Sequence, residues 1–369
     1  MTDNALKQLG VLGQSIWLDY IRRDLIASGA LRDMIETDGL RGMTSNPAIF
    51  EKAIGESQCY DQAIGAMAHE GKKVPEIYET LSQEDVRSAA DVFLPVYEKT
   101  DGHDGYVSLE VNPHLARDTE GTVKEARRLW AALDRPNVLI KVPGTKEGLP
   151  AIRRLLSEGI NVNVTLLFGL ARYRQVAEAF IAGIEARNAQ GKLVRGVASV
   201  ASFFLSRIDA KLDPMLEVMA AQGGRTMKLA RQAHGQTAIA SAKLAYKFFK
   251  ETFSSQRLPA LDRAGVRAQR LLWASTGTKN PAYSDVKYIE ALIGPDTVNT
   301  APPATLDAYR DHGRPEARLE QDLDEAQRVF ACLEELGICM DDQVQQLEDA
   351  GVEKFVQPFD KLMASLARK

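Results

Sequence analysis

The stretch NVLIKVPGT, Asn137–Thr145, decides the reading of this chain. Val138, Leu139, Ile140 and Val142 have the composition of a strand buried on both faces, and a Pro-Gly turn follows at once. Lys141 stands in their midst. An unpaired ammonium in such a place costs several kcal/mol. A mid-strand lysine therefore asks for a purpose, and the rest of the sequence can be searched for groups that would supply one.

Working outward, seven further runs have strand character: QSIWLD (14–19), LRGMT (40–44), GYVSLE (105–110), INVNVT (160–165), GVASVAS (196–202), RLLWAS (270–275) and DTVNT (296–300). Helical patterns lie between them. TVKEARRLWAALD (122–134) carries apolar residues at helical spacing. TKEGLPAIRRLLSEG (145–159) ends on Gly159 like a capped helix. SQEDVRSAADVFLPVYEKT (82–100) is one of several helices expected between 44 and 105. The 203–269 stretch should be helical with a break at Gly223–Gly224, and the tail 315–369 reads as two amphipathic helices. Eight strands alternating with helices predict parallel pairing through right-handed crossovers. An open doubly wound sheet and a closed (β/α)₈ TIM barrel both fit that count, over one domain spanning 1–369.

The polar residues at the strand ends separate the two. Asp19 closes the first run, Thr44-Ser45-Asn46 the second and Glu110 the third. Lys141 is near the end of the fourth, Asn163 and Thr165 end the fifth, Ser202 the sixth and Ser275 the seventh. A barrel gathers all of these on one face, where active sites sit, whereas an open sheet spreads them along an edge. Each has an ordinary structural alternative. Asp19 could cap a helix, Ser45 or Asn46 could cap one that begins at Pro47, and Glu110 could simply pair with Lys141. As a set, two carboxylates, a lysine, two amides and several hydroxyls point to chemistry.

Burial disfavours the charged form of a lysine, and a neutral amine adds to carbonyls to give a Schiff base. The protonated imine stabilises an adjacent carbanion, which is what making or breaking a carbon–carbon bond beside a ketone requires. Such chemistry needs a group to move the proton of the cleaved hydroxyl and another to shuttle protons while the imine forms. Asp19 and Glu110 are the candidates. No HExxH or clustered His/Cys set suggests a metal or other cofactor.

Composition narrows the partners. A net charge of −4 gives no electrostatic reason to expect nucleic acid or an anionic membrane. No apolar run approaches bilayer length, and the opening MTDNALKQLG lacks the features of a signal peptide. Cys59, Cys332 and Cys339 form no disulfide framework, so a reducing cytoplasm fits best. The Cys332–Cys339 spacing suits one inward-facing helix. A monomer or homodimer is expected.

In order along residues 10 to 310, the segments SIWLDYI, GMTSNPAIF, VSLEVNP, VLIKVPGT, GINVNVTLLF, VASFFLSRID, LLWASTGTKN and DTVNTAPPATL resemble the transaldolase family. KVPGT, TSNPAIF and NVTLLF are specific to the wider superfamily that includes fructose-6-phosphate aldolases, and the length and extra C-terminal helices resemble the longer bacterial members. The resemblance implies a (β/α)₈ barrel that moves a dihydroxyacetone unit between sugar phosphates in the non-oxidative pentose phosphate pathway. It implies the Schiff base at Lys141, a carboxylate at Asp19 for the sugar hydroxyl proton, and Glu110 with Thr165 holding a water. It further implies Asn46 and Asn163 on the dihydroxyacetone hydroxyls, Ser202 beside the imine and Arg207 on the phosphate. Ser275 and Lys279 complete the expected substrate-binding set, with one departure. Where better-known members have Ser-Phe-Arg-Asn, this chain has the longer run Ser275-Thr276-Gly277-Thr278-Lys279-Asn280. Lysine is a point charge without the bidentate fork of arginine. The alternatives are an aldolase that releases free dihydroxyacetone, a group that the resemblance implies is shorter and carries a tyrosine where Glu110 stands, and a barrel that binds sugar phosphates without catalysis.

Overall fold

The computed structural model of the chain describes residues 4–254 and 264–368. Residues 1–3 of the opening segment, 255–263 of the 203–269 stretch and Lys369 of the tail lie outside them. Eight parallel strands close into a barrel in sequence order: β1 (Gln14–Asp19), β2 (Gly42–Thr44), β3 (Tyr106–Glu110), β4 (Val138–Pro143), β5 (Val162–Leu167), β6 (Ser199–Phe204), β7 (Arg270–Ala274) and β8 (Thr297–Ala301). The barrel expected from the strand ends is therefore present and the open sheet is not.

Strand register fixes the chemistry. Glu110 on β3 is the Cα partner of Lys141 on β4, and Lys141 is in turn the partner of Asn163 on β5. Strand side chains alternate, so these three project together into the barrel. Asp19 is paired with Thr44 on the neighbouring β1–β2 ladder. Below them the interior is packed, not hollow. Trp17 fills the space beside Gly42, where a Cβ would lie 2.5 Å from the indole, so only glycine lets that ring in.

Several boundaries differ from the sequence reading. β2 is only three residues long, and β5 and β6 begin and end about two residues later than expected. Val197 donates to the Val194 carbonyl in a turn, which delays the start of β6 and leaves Phe204, not Ser202, at its end. The helix expected over 82–100 runs from Val74 to Lys99. Ser82, the first residue of the expected helix, is buried inside the observed one and returns its hydroxyl to the Glu79 carbonyl, while Glu76 accepts from the Lys73 amide at the true start. The expected helix 122–134 starts earlier, at Thr119, capped by Asp118. Gly159 caps the next helix at a φ of 89°. The break at Gly223–Gly224 separates helices Ser206–Ala220 and Gly224–Ala233.

The tail forms helices Leu323–Glu335 and Met340–Leu366. Cys332 is buried on the first and Cys339 is exposed just before the second, so the two cysteines do not share an inward face. The long last helix packs over the mouth of the barrel against the helix Pro47–Gly55 and β5. Gly351 permits this, since a Cβ there would be 3.1 Å from Leu166. Arg172–Glu348 (3.1 Å), Arg117–Asp349 (2.6 Å), His114–Asp360 (2.7 Å) and Lys361–Glu51 (2.7 Å) bracket the helix along its length. Among the described residues no helix is long and apolar enough to cross a membrane.

Candidate active site

Lys141 is 4% exposed and Glu110 7%. The lysine ammonium donates to the Ser45 carbonyl at 3.1 Å and lies 3.2 Å from Glu110 Oε2. The latter contact is close but poorly aligned, and among the described residues neither carboxylate oxygen of Glu110 has a hydrogen-bond donor. Burial, only partly offset by Lys141, pushes Glu110 up to about 7. The structural pairing of Glu110 with Lys141 is thus real, but it leaves the carboxylate under-solvated and able to titrate near neutrality.

Asp19 sits across the same cavity, half-buried. It accepts from Thr44 Oγ1 at 2.7 Å, and Thr44 is shared with Thr300 at 2.7 Å. Burial raises the Asp19 pKa against the pull of Lys141 and the Thr44 hydrogen bond. Asp19 caps no helix: the next one, Arg23–Ala27, has no side-chain cap. Asn46 does cap, accepting from the Ile49 amide at 3.0 Å, while also lining the cavity. Ser45 binds the Ser108 carbonyl at 2.7 Å, which holds in place the carbonyl that receives Lys141.

A polar chain runs behind the lysine. Ser202 donates to Asn163 Oδ1 at 2.7 Å, and Asn163 Nδ2 donates to Ser108 Oγ at 3.0 Å. Thr165 Oγ1 is fully buried with no hydrogen-bond partner among the described residues. Its neighbour Leu166 has a φ of 61° at a register shift between β5 and β6. A bulge of this kind re-aims the adjacent side chains, and such outliers gather at working sites.

Arg207 opens the helix Ser206–Ala220, directly after β6. Its Nη1 is buried without a hydrogen-bond partner, and it makes no ion pair among the described residues. Ser275, at a φ of 54°, holds the Ser206 hydroxyl at 2.9 Å and so ties the loop after β7 to the Arg207 helix. Lys279 is exposed as a residue, but its amine reaches the cavity wall, where burial and the Arg207 charge push its pKa down.

Seven of the residues singled out from sequence therefore line one cavity of about 180 Å³: Asp19, Asn46, Lys141, Ser202, Arg207, Ser275 and Lys279. Glu110 and Asn163 stand behind its wall, reached through Lys141 and Ser202, and among the described residues no hydrogen bond of the Thr165 side chain joins it to the rest. Thr44, placed at this face by the sequence but given no role there, lines it too, as do Phe204 and Phe355, which sequence reasoning missed. Period-2 alternation from Ser202 would have found Phe204 had the strand been carried two residues further. A roomier cavity, about 410 Å³, opens at the opposite end of the barrel, but Arg270, Arg267 and Lys250 in its walls are already paired with Asp104, Asp101 and Glu320. Among the described residues no group of three or more His, Cys, Asp or Glu could hold a metal ion.

Relatives bear on this arrangement directly. A model of the transaldolase/fructose-6-phosphate aldolase family matches residues 16–366. The chain is 50% identical to a transaldolase of Trichodesmium erythraeum, over all of this chain and 98% of that protein. It is 47% identical to a transaldolase of Thiobacillus denitrificans, over 98% and 99%, and 47% identical to one of Thermobifida fusca, over 99% and 98%. With a barrel of this topology, a buried strand-four lysine flanked by two carboxylates and full-length similarity throughout, the chain belongs to the transaldolase/fructose-6-phosphate aldolase family and, within it, to the transaldolases.

Proposed function

We propose that this enzyme transfers a three-carbon dihydroxyacetone unit between sugar phosphates in the cytoplasm, through an imine on Lys141. The Lys141 amine adds to the C2 carbonyl of a ketose phosphate such as fructose 6-phosphate or sedoheptulose 7-phosphate. Loss of water from the carbinolamine gives the imine. Glu110 and Thr165, whose side-chain oxygens lack hydrogen-bond partners among the described residues, hold a water through which the carbinolamine hydroxyl is protonated and leaves as water; a carboxyl near 7 serves as donor or acceptor at neutral pH. Asp19 removes the C4 hydroxyl proton, the C3–C4 bond breaks, and its electrons flow into the protonated imine to leave an enamine. The aldose phosphate departs. The enamine carbon then attacks the aldehyde of a second aldose phosphate, Asp19 returns the proton to the new hydroxyl, and water hydrolyses the imine to free Lys141.

Burial that raises the Asp19 pKa makes it a stronger base for this task. Asn163, held by Ser202, and Asn46 offer amides to the hydroxyls of the three-carbon unit. Arg207, Ser275 and Lys279 form the phosphate end of the cavity. The observation that carries the reading is the placement of Lys141 3.2 Å from Glu110, with Asp19 in the same cavity. Incubation with fructose 6-phosphate, with and without erythrose 4-phosphate, tests it. Transfer predicts sedoheptulose 7-phosphate in the presence of acceptor and little free dihydroxyacetone in its absence. Free dihydroxyacetone at the same rate without acceptor would instead make the enzyme an aldolase.

A further inference from the structure

The C-terminal helix delivers one aromatic ring to the active site. Phe355 is 3% exposed, yet it faces the cavity. Its ring centroid is 5.4 Å from Lys141 Nζ and 5.8 Å from Arg207 Cζ. On β6, the Phe204 ring lies 5.4 Å from the same guanidinium. Both rings are within cation–π range of Arg207, whose Nη1 has no hydrogen-bond partner. An arginine at such a position would ordinarily be steered by a carboxylate. Here aromatic faces do the steering, and they leave the N–H groups free for an incoming anion.

The ring is itself held firmly. One turn before it, Gly351 sits against Leu166 and Phe168. One turn after it, Phe359 packs edge-on against Tyr78 at 5.4 Å and His114 at 5.9 Å. The ion pairs at Glu348, Asp349 and Lys361 and the His114–Asp360 contact secure the helix on both sides.

We propose that Phe355 is a positioning residue that sets selectivity for phosphorylated ketoses. Its single ring touches the cation at each end of the substrate and thereby fixes the spacing between the imine nitrogen and the phosphate receptor. It also keeps water from Arg207, which strengthens the attraction between guanidinium and phosphate. This rests on the reading of Lys141 and Arg207 given above.

The test compares Phe355→Leu, which keeps an apolar side chain but removes the ring, with Phe355→Tyr, which keeps the ring. For Phe355→Leu, kcat/KM with fructose 6-phosphate should fall about tenfold relative to kcat/KM with unphosphorylated fructose, mostly through KM. Inorganic phosphate should also inhibit about tenfold more weakly, while Phe355→Tyr restores both. Equal losses on the two substrates, or an unchanged phosphate inhibition constant, would overturn the proposal and reduce Phe355 to packing. Should Phe355→Leu fail to fold, Phe355→Met, which fills space without a ring, takes its place with the same expectations. Phosphate inhibition needs no imine. Failure of the Schiff-base reading would therefore appear separately, as wild-type enzyme that gives no adduct at Lys141 on borohydride reduction.

Discussion

Two buried ion pairs occupy opposite ends of this barrel, and they are built to different standards. At the bottom, Arg270 at the start of β7 meets Asp104, just before β3, at 2.9 Å. Asp104 Oδ2 also accepts from Ser15 at 2.8 Å, and the guanidinium donates to Ser15 Oγ (3.0 Å), the His103 carbonyl (2.6 Å) and His103 Nε2 (2.9 Å). An arginine can only donate, so His103 accepts and is neutral, in accord with burial and Arg270 pushing its pKa down. Burial alone would raise Asp104, but Arg270 outweighs it and the carboxyl sits below its usual range. At the top, Lys141 and Glu110 are as deeply buried, yet both Glu110 oxygens lack an aligned donor and burial wins. A satisfied pair holds structure. An unsatisfied one holds a proton in readiness for transfer, at a cost in stability that active sites commonly carry.

The largest effect separates the two ends outright. Lys141→Met should abolish turnover while leaving stability to denaturant within roughly 1.5 kcal/mol of wild type below pH 7, because Glu110 can take up a proton once its partner is gone. Arg270→Met should do the reverse. It strands an ionised Asp104 and should cost about 3–5 kcal/mol of stability, with kcat per folded molecule unchanged. The lowered Asp104 pKa means that its contribution is present above about pH 4 and is lost as pH falls through its folded-state value, so this gap should narrow only in acid. If Lys141→Met proved the more destabilising of the two, the contrast between the ends would collapse.

Asp19→Asn sharpens the comparison inside the top cavity. The variant cannot accept the C4 hydroxyl proton, so turnover should fall about 10²- to 10⁴-fold while the imine still forms. Borohydride should then fix a six-carbon phosphorylated adduct on Lys141. A three-carbon adduct would show that another group performs the cleavage.

Glu110→Gln should slow adduct formation by more than about tenfold. The wild-type pH profile of trapping should carry a limb with its midpoint near 7, falling as pH rises because carbinolamine dehydration needs the protonated carboxyl. That limb should vanish in the variant. Its survival would assign the titration elsewhere.

At the phosphate end the effects are smaller. Arg207→Ala should raise KM for phosphorylated ketoses by about 10- to 100-fold, the worth of a charged hydrogen bond, and leave KM for unphosphorylated ones nearly unchanged. Lys279→Ala should follow the same pattern at roughly threefold, as befits a charge carried by a largely exposed residue at the cavity's edge. Equal effects on both substrate classes would remove the phosphate assignment.

Much of this site was legible before the fold was known, for a physical reason. A parallel barrel buries both faces of every strand, so each polar residue at a strand end stands out against an apolar run. Lys141, Glu110, Asn163 and Asp19 were visible in that way. Their meeting was not, because register is a long-range property: nothing local to VSLE says that Glu110 lies level with Lys141. Asn46 shows the limit of choosing between readings, since it is both a helix cap and a cavity residue. Phe355 shows the deeper limit. In GVEKFVQPF it looks like any apolar residue on an amphipathic helix. Periodicity says that such a face is covered, but not by what, and here it is covered in part by Lys141 and Arg207. The bottom pair was missed as well, because Arg270 opens one strand run and Asp104 only precedes another, and nothing local to either says that they meet.

The central claim, that the buried lysine of β4 is the covalent nucleophile, is tested most directly by reducing the wild-type enzyme with borohydride in the presence of fructose 6-phosphate and mapping the modified peptide by mass. The account predicts a single dihydroxyacetone-derived, three-carbon increment on Lys141. No increment, or one carried by another lysine such as Lys146, would contradict it.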